Sequence, residues 1–312
     1  MNNISGQDIV EEIKKVIIGK DDIIEKVLMA LLAKGHVLLE DIPGVGKTTL
    51  ALAFSKVFQL DYRRIQFTPD TMPSDVIGFS IYNKEVGEFQ YKQGAIMANL
   101  VLADEINRTS SKTQAALLEA MEEANITVDG CTYELPHPFN VIATQNPYGS
   151  AGTQMLPESQ LDRFLVCLSM GYPDKTSEIA ILRGKQGGQP LDTVNTLASK
   201  RDLLLMQEEV SKVQISDYIL EYITELLHAT RNNSYIDLGV SPRGGVALTR
   251  VAKARAYLKQ RNYVTPEDVM YVFTDVCCHR ILLNLKARTE EITPAMVLKQ
   301  IIEHTKVPRI NL

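Results

Sequence analysis

Asp41-Ile42-Pro43-Gly44-Val45-Gly46-Lys47-Thr48-Thr49 is the stretch that decides the fold. It follows His36–Glu40 (HVLLE), an apolar run of strand length, and opens the helical pattern Thr48–Phe58. Strand, glycine-rich turn, lysine, hydroxyl and helix is the order of a phosphate-binding loop. The glycines let backbone N–H groups close around phosphate oxygens, and the helix N-terminus adds positive potential. Lys47 is placed to reach the β- and γ-phosphates and Thr48 to ligate Mg²⁺, within a cradle running from Pro43 through Gly44, Val45 and Gly46 to Thr49. One position departs from G-x-x-x-x-G-K-[ST]: Asp41 stands where the first glycine belongs. Aspartate tolerates left-handed backbone better than most residues. A carboxylate beside a triphosphate is repulsive, so its side chain is expected to point away.

Outward from this loop the first half alternates strands and helices. Tyr62–Phe67, Asn99–Ala103, Phe139–Thr144 and Phe164–Ser169 read as further strands, with a helix over Lys112–Glu123. The runs at 36–40, 99–103 and 139–144 are almost wholly apolar, as in a parallel sheet covered on both faces. An α/β sandwich follows. Counted from His36–Glu40, the third strand, Asn99–Ala103, empties into Asp104-Glu105. Asp104 is expected in the Mg²⁺ shell and Glu105 beside the attacking water. The fourth ends at Asn146, placed to hydrogen-bond the γ-phosphate or that water. A turn residue before Pro147 is the alternative. Phe79–Tyr82 with Glu88–Lys92, and Ile126–Val128 with Cys131–Leu135 across Asp129-Gly130, read as two β-hairpins inserted beside this chemistry.

From about Asp192 the pattern turns helical. Ser199-x-x-Asp202, Thr265-Pro266-Glu267-Asp268 and Thr293-Pro294 each read as a helix start. Tyr172-Pro173-Asp174 and Gly187-Gly188-Gln189-Pro190 interrupt the chain between the two regimes. The expected division is an α/β domain over 1–190 and a helical domain over 191–312, which matches the two domains that 312 residues suggest.

A net charge of 33 − 38 = −5 excludes a protein held to nucleic acid by bulk positive charge. Four cysteines without a CxxC pair exclude a disulfide scaffold and read as buried thiols of a reduced, cytoplasmic chain. The first residues lack the pattern of a secretory signal, and Val27–Ala33 is too short to span a membrane. Cys277-Cys278-His279 lacks metal-ligand spacing and reads as core packing inside a helix. Arg243, Arg250, Lys253, Arg255, Lys259 and Arg261 read as a solvated or inter-subunit face, with Val251, Ala254 and Leu258 as the buried stripe.

These residues resemble the MoxR-type AAA+ ATPases over nearly the whole chain. The resemblance rests on IPGVGKT (Ile42–Thr48), FTPDTMPSDVIG (Phe67–Gly78), LADEINR (Leu102–Arg108), ATQNP (Ala143–Pro147), LPESQLDRF (Leu156–Phe164) and VSPRG (Val240–Gly244), in the family order. It implies an AAA+ P-loop α/β/α sandwich followed by an all-α lid, with a helix-2 insert and a pre-sensor-1 hairpin. It implies ATP as substrate with Mg²⁺, Asn146 as sensor 1, and Ile17, Ile18 and Gly19 beside the adenine. Arg163 would be the arginine finger reaching a neighbouring subunit's nucleotide, and Arg243 the sensor 2 of the lid. The alternative for Arg163 is an ion pair with Asp162, and for Arg243 a solvated helix start. The resemblance further implies a homo-oligomeric ring, a hexamer as family members form. It implies a protein client and a von Willebrand factor A domain partner. A motor on nucleic acid, a transcription-activator ATPase and a chelatase-type motor subunit are the alternatives. The hairpins hold only Lys84 and Lys92 as basic residues, which disfavours nucleic acid.

Overall fold

The computed structural model describes residues 4–146, 155–184 and 190–307. Pro147 and the Gly187–Gln189 interruption lie outside the described residues. The chain divides into two compact units, each drawn from separated stretches. One comprises residues 1–25, 36–156 and 168–204; the other comprises 26–35, 157–167 and 205–312.

In chain order the strands up to residue 168 are β1 (Val37–Glu40), β2 (Tyr62–Gln66), β3 (Gly78–Asn83), β4 (Glu88–Gln93) and β5 (Leu100–Asp104). β6 (Asn125–Val128), β7 (Cys131–Glu134), β8 (Asn140–Gln145) and β9 (Val166–Leu168) follow. The central sheet has the order β2-β5-β8-β1-β9. β2 pairs with β5, β5 with β8, and β8 with β1, all in parallel. β5 and β8 are buried at every position, which accounts for their unbroken apolar character. β2, at the sheet edge, buries only Ile65 well and can carry Arg63, Arg64 and Gln66.

The helix Lys47–Val57 buries Leu50, Ala51, Ala53, Phe54 and Val57. The helix Ser111–Glu123 starts at Ser110, whose hydroxyl accepts the N–H of Thr113. Both expected hairpins form, β3 with β4 and β6 with β7. Asp129 and Gly130 both take positive φ, 50° and 81°, as a two-residue hairpin turn of this kind demands.

The second unit is built around the helices Asp217–Arg231, Pro242–Leu258, Pro266–Cys277 and Pro294–His304. Tyr222, Leu226, Val251, Val269, Phe273 and Leu298 fill its core. Ser241 caps the second of these helices by accepting the N–H of Gly244 at 3.2 Å, with Pro242 in the first turn. Thr265 and Asp268 form a capping box, and Thr293 accepts the N–H of Met296. This half also carries an antiparallel ribbon, β10 (Ile236–Leu238) with β11 (Leu282–Leu283). Strands of two or three residues are too short to show any period in sequence.

Two expectations for this half need correction. The basic run is a solvated face only in part: Arg243, Arg250 and Lys259 are exposed, while Lys253, Arg255 and Arg261 are half-buried. Arg250 donates to the carbonyls of Ala33 and Lys34, and desolvation pulls its pKa down. Arg255 lies 3.3 Å from the ring centre of Tyr271 and shares Asp268 with Arg261. Of the expected stripe, Val251 and Ala254 are buried and Leu258 is half-buried. Second, the helix ends at Cys277, and Cys278–Arg280 is a separate turn. Cys167 and Cys277 are buried, but Cys131 is exposed and Cys278 half-buried, so not all four thiols are core groups. Among the described residues no helix is long and apolar enough to cross a membrane.

Candidate active site

The carboxyl ends of β1, β5 and β8 meet around a cleft of about 370 Å³. Such an edge is where open α/β sheets bind ligands. Pro43, Gly44, Gly46, Lys47, Thr48 and Thr49 line one end of it. Arg64, Gln66, Asp104, Glu105, Thr144 and Asn146 line the other.

The loop end is a backbone construction. Gly44 and Gly46 take φ of 87° and 99°, which a side chain would strain. A Cβ on Gly44 would meet nothing within 4 Å, so the space over the loop is open to a ligand. The helix Lys47–Val57 has no side-chain cap at Gly46. Its first N–H groups are therefore directed at whatever anion enters. Lys47 donates from Nζ to the carbonyls of Asp41 at 2.8 Å and Ile42 at 3.2 Å. Burial lowers its pKa, and the charges of Asp41, Asp104 and Glu105 oppose that shift.

Asp41 lines the cleft, where it was expected to point away, and its carboxylate is engaged by the neighbouring backbone. It is not among the residues with left-handed backbone. Its carboxylate accepts the N–H of Gly171 at 2.9 Å, that of Met170, and the hydroxyl of Ser169 at 3.3 Å. The side chain thus ties the loop to residues 169–171, something a glycine could not do.

The acid end is a side-chain construction. Thr144 stands between the two carboxylates. Its hydroxyl donates to Asp104 Oδ1 at 2.6 Å and accepts the N–H of Glu105 at 2.9 Å. Arg64 meets Asp104 Oδ2 from Nη2 at 2.6 Å and from Nε at 3.2 Å. Glu105 Oε2 receives Gln66 Nε2 at 3.1 Å and Arg108 Nη1 at 2.8 Å. Glu105 itself has left-handed backbone, φ 57° and ψ 48°, a conformation that costs a non-glycine residue about 1 kcal/mol. Arg64, Gln66, Arg108 and Thr144 were not singled out from sequence. The available signal was period-two alternation: Arg64 and Gln66 share a face of β2, and Gln66 is in register with Asp104.

The remaining candidates divide by position. Asn146 lines the cleft, and its carbonyl accepts Asn107 Nδ2 at 3.1 Å. Ile17 is buried, and Gly19, φ 71°, packs so closely on Ser177 that a Cβ would fall 2.1 Å from its hydroxyl. Ile17, Ile18, Gly19 and Val45 are not among the cleft-lining residues. Arg163 and Arg243 belong to the second unit. There Asp162 accepts Arg280 Nε at 2.6 Å, and Arg243 is exposed on the first turn of Pro242–Leu258. The cleft fits a nucleoside triphosphate with a divalent cation. It joins uncapped helix N–H groups and a lysine at one end to the Thr48 hydroxyl and the Asp104 carboxylate, both oxygen donors.

Comparison with known proteins agrees with this chemistry. The model of the ATPase family associated with various cellular activities (AAA) matches residues 36–166, and that of the AAA lid domain matches 228–301. YeaC of Bacillus subtilis is 50% identical over 299 residues, 96% of this chain and 93% of that protein. Chaperone MoxR1 of Mycobacterium tuberculosis is 39% identical over 96% of this chain and 81% of its own length. A crystal structure of a candidate ATPase from Cytophaga hutchinsonii superposes with a TM-score of 0.90 at 40% identity, covering 97% of this chain and 94% of that one.

Proposed function

The chain belongs to the MoxR family of AAA+ ATPases, and from that premise we propose that it hydrolyses ATP to ADP and phosphate in the cleft at the ends of β1, β5 and β8. The observation that carries this is the meeting of Lys47, Asp104, Glu105 and Asn146 at one sheet edge. The loop N–H groups and Lys47 hold the phosphates. Thr48 and Asp104 would hold magnesium, which when bound neutralises charge that develops on the transferred group. Glu105 orients the attacking water and takes its proton as the water oxygen bonds to the γ-phosphorus. The bond from that phosphorus to the β–γ bridging oxygen breaks, and the electrons leave with ADP. Asn146 hydrogen-bonds the γ-phosphate.

Arg163 would act on the nucleotide of a neighbouring copy in a hexameric ring, and Arg243 on the γ-phosphate of its own chain. An arginine supplied in trans is worth ~10³–10⁵ in rate. Hydrolysis per chain should therefore rise with protein concentration. The work done is remodelling or assembly of a protein complex, with a von Willebrand factor A domain protein as partner. Supporting this are the chaperone name of the mycobacterial relative and hairpins poor in basic residues. The deciding experiment is Glu105→Gln. ATP binding should persist while turnover falls by ~10²–10⁴. Undiminished turnover would remove Glu105 from its role. Protein capture on this variant in ATP would then identify the client, and recovered nucleic acid in its place would overturn the protein-client reading.

A further inference from the structure

Among the described residues one group of three side chains brings thiols and an imidazole together: Cys167, Cys278 and His279, with ligand atoms all within 4.8 Å of one another. All three belong to the second unit. Sequence spacing conceals the group, because Cys167 in β9 precedes Cys278 by 111 residues. The end of the helix at Cys277 makes it possible, since the turn Cys278–Arg280 presents two successive side chains toward Cys167.

Its dimensions suit a tetrahedral ion. Bonds of about 2.3 Å to sulfur and about 2.0 Å to nitrogen, at tetrahedral angles, set sulfur and nitrogen about 3.6 Å apart and two sulfurs about 3.8 Å apart. Cys278 Sγ is 3.9 Å from His279 Nδ1. No pair needs to close by more than about 1.2 Å from the 4.8 Å limit. His279 Nε2 lies 3.1 Å from the carbonyl of Phe164. Donating that N–H leaves the Nδ1 lone pair facing Cys278, the outer-shell arrangement of metal-bound histidines. Arg280 Nη1, 2.7 Å from the same Nε2, favours the other tautomer. It does not depend on it: Nη1 also donates to the carbonyls of Leu165 and Val276, and the charge is met by Asp162.

We propose that Cys167, Cys278 and His279 form a zinc site with two thiolates, one imidazole and an open fourth position. A set of two sulfurs and one nitrogen selects a thiophilic ion over magnesium or calcium. Binding would release both thiol protons. The half-buried Cys278 gives the ion its way in.

Cobalt(II) tests this directly. The full, reduced, metal-free chain should take up one equivalent without ATP, with a sulfur-to-cobalt charge-transfer band that one equivalent of zinc bleaches. Cys167→Ser and Cys278→Ser should each weaken uptake at least about tenfold. Cys131→Ser, at an exposed thiol on β7, should leave it unchanged. Absence of the band in the wild-type chain would overturn the site, as would a band that survives both substitutions. Should Cys167→Ser fail to fold, the wild-type titration and Cys278→Ser still decide. Cobalt held by Thr48 and Asp104 meets only oxygen and gives no such band, so failure of the ATPase reading would not disturb this result.

Discussion

The two ends of the cleft are made in opposite ways. At the loop end the working groups are mainly backbone N–H donors, all drawn from one consecutive stretch within Asp41–Thr49. At the acid end they are side chains, and three separated segments hold them: Arg64 and Gln66 on β2, Asp104 at the end of β5 with Glu105 and Arg108 in the turn that follows, and Thr144 on β8. A site made from consecutive backbone is insensitive to most side chains outside its glycines and lysine. A site made from distant side chains can be retuned one residue at a time.

Substitutions at the two ends should therefore fail differently. The largest effect is expected from Lys47→Ala, which should abolish detectable nucleotide binding in a fluorescent-nucleotide titration. Glu105→Gln should leave binding intact and stop turnover. Equal binding losses in the two would erase the distinction between the ends. Next is Thr144→Val, which keeps the shape of the side chain and removes both hydroxyl contacts. Turnover is expected to fall about 10- to 100-fold, as a donor and an acceptor worth about 1.5–3 kcal/mol together are lost. The dissociation constant for ATP should hold steady, and Thr144→Ser should restore most of the rate.

Asp41→Gly sharpens the contrast from the loop side. It brings the sequence closer to the general motif yet should destabilise the fold by about 1–3 kcal/mol, because the N–H groups of Met170 and Gly171 lose their acceptor. Urea denaturation measures this, and an unchanged midpoint would show that the carboxylate ties nothing down. The smallest effect belongs to Arg64→Ala. The Arg64 side chain is 47% exposed, so its pair with Asp104 is worth up to ~1 kcal/mol. Freeing Asp104 should tighten magnesium binding by up to about fivefold in a calorimetric titration. Weaker binding would mean that Arg64 organises Asp104 rather than competing for it.

What was legible in the sequence follows the same contrast. The phosphate loop, the buried strands β5 and β8, the Asp129-Gly130 turn and the helix caps at Thr265 and Thr293 are all local patterns. Each is decided within a few residues by backbone conformation or period. The clamp of Thr144 on Asp104 and Glu105 depends on which strands become neighbours, and β5 and β8 are 35 residues apart at their nearest ends. The contacts of Arg250, Arg255 and Arg261 were hidden for the same reason. Their partners at Ala33, Tyr271 and Asp268 come from other helices and loops, so the sequence showed the charges and not what they touch. The grouping of Cys278 and His279 with Cys167 required a helix to stop at Cys277, and no glycine or proline announces that end.

The left-handed backbone at Glu105 makes the residue a compromise between durability and work. Asparagine and glycine enter that conformation more readily. Glu105→Asn should therefore give a protein that turns over no ATP and yet melts higher, by an amount on the order of 1 kcal/mol. A collection of variants sorted for heat resistance alone would favour the dead enzyme at this position, and only a sort for activity would bring the glutamate back.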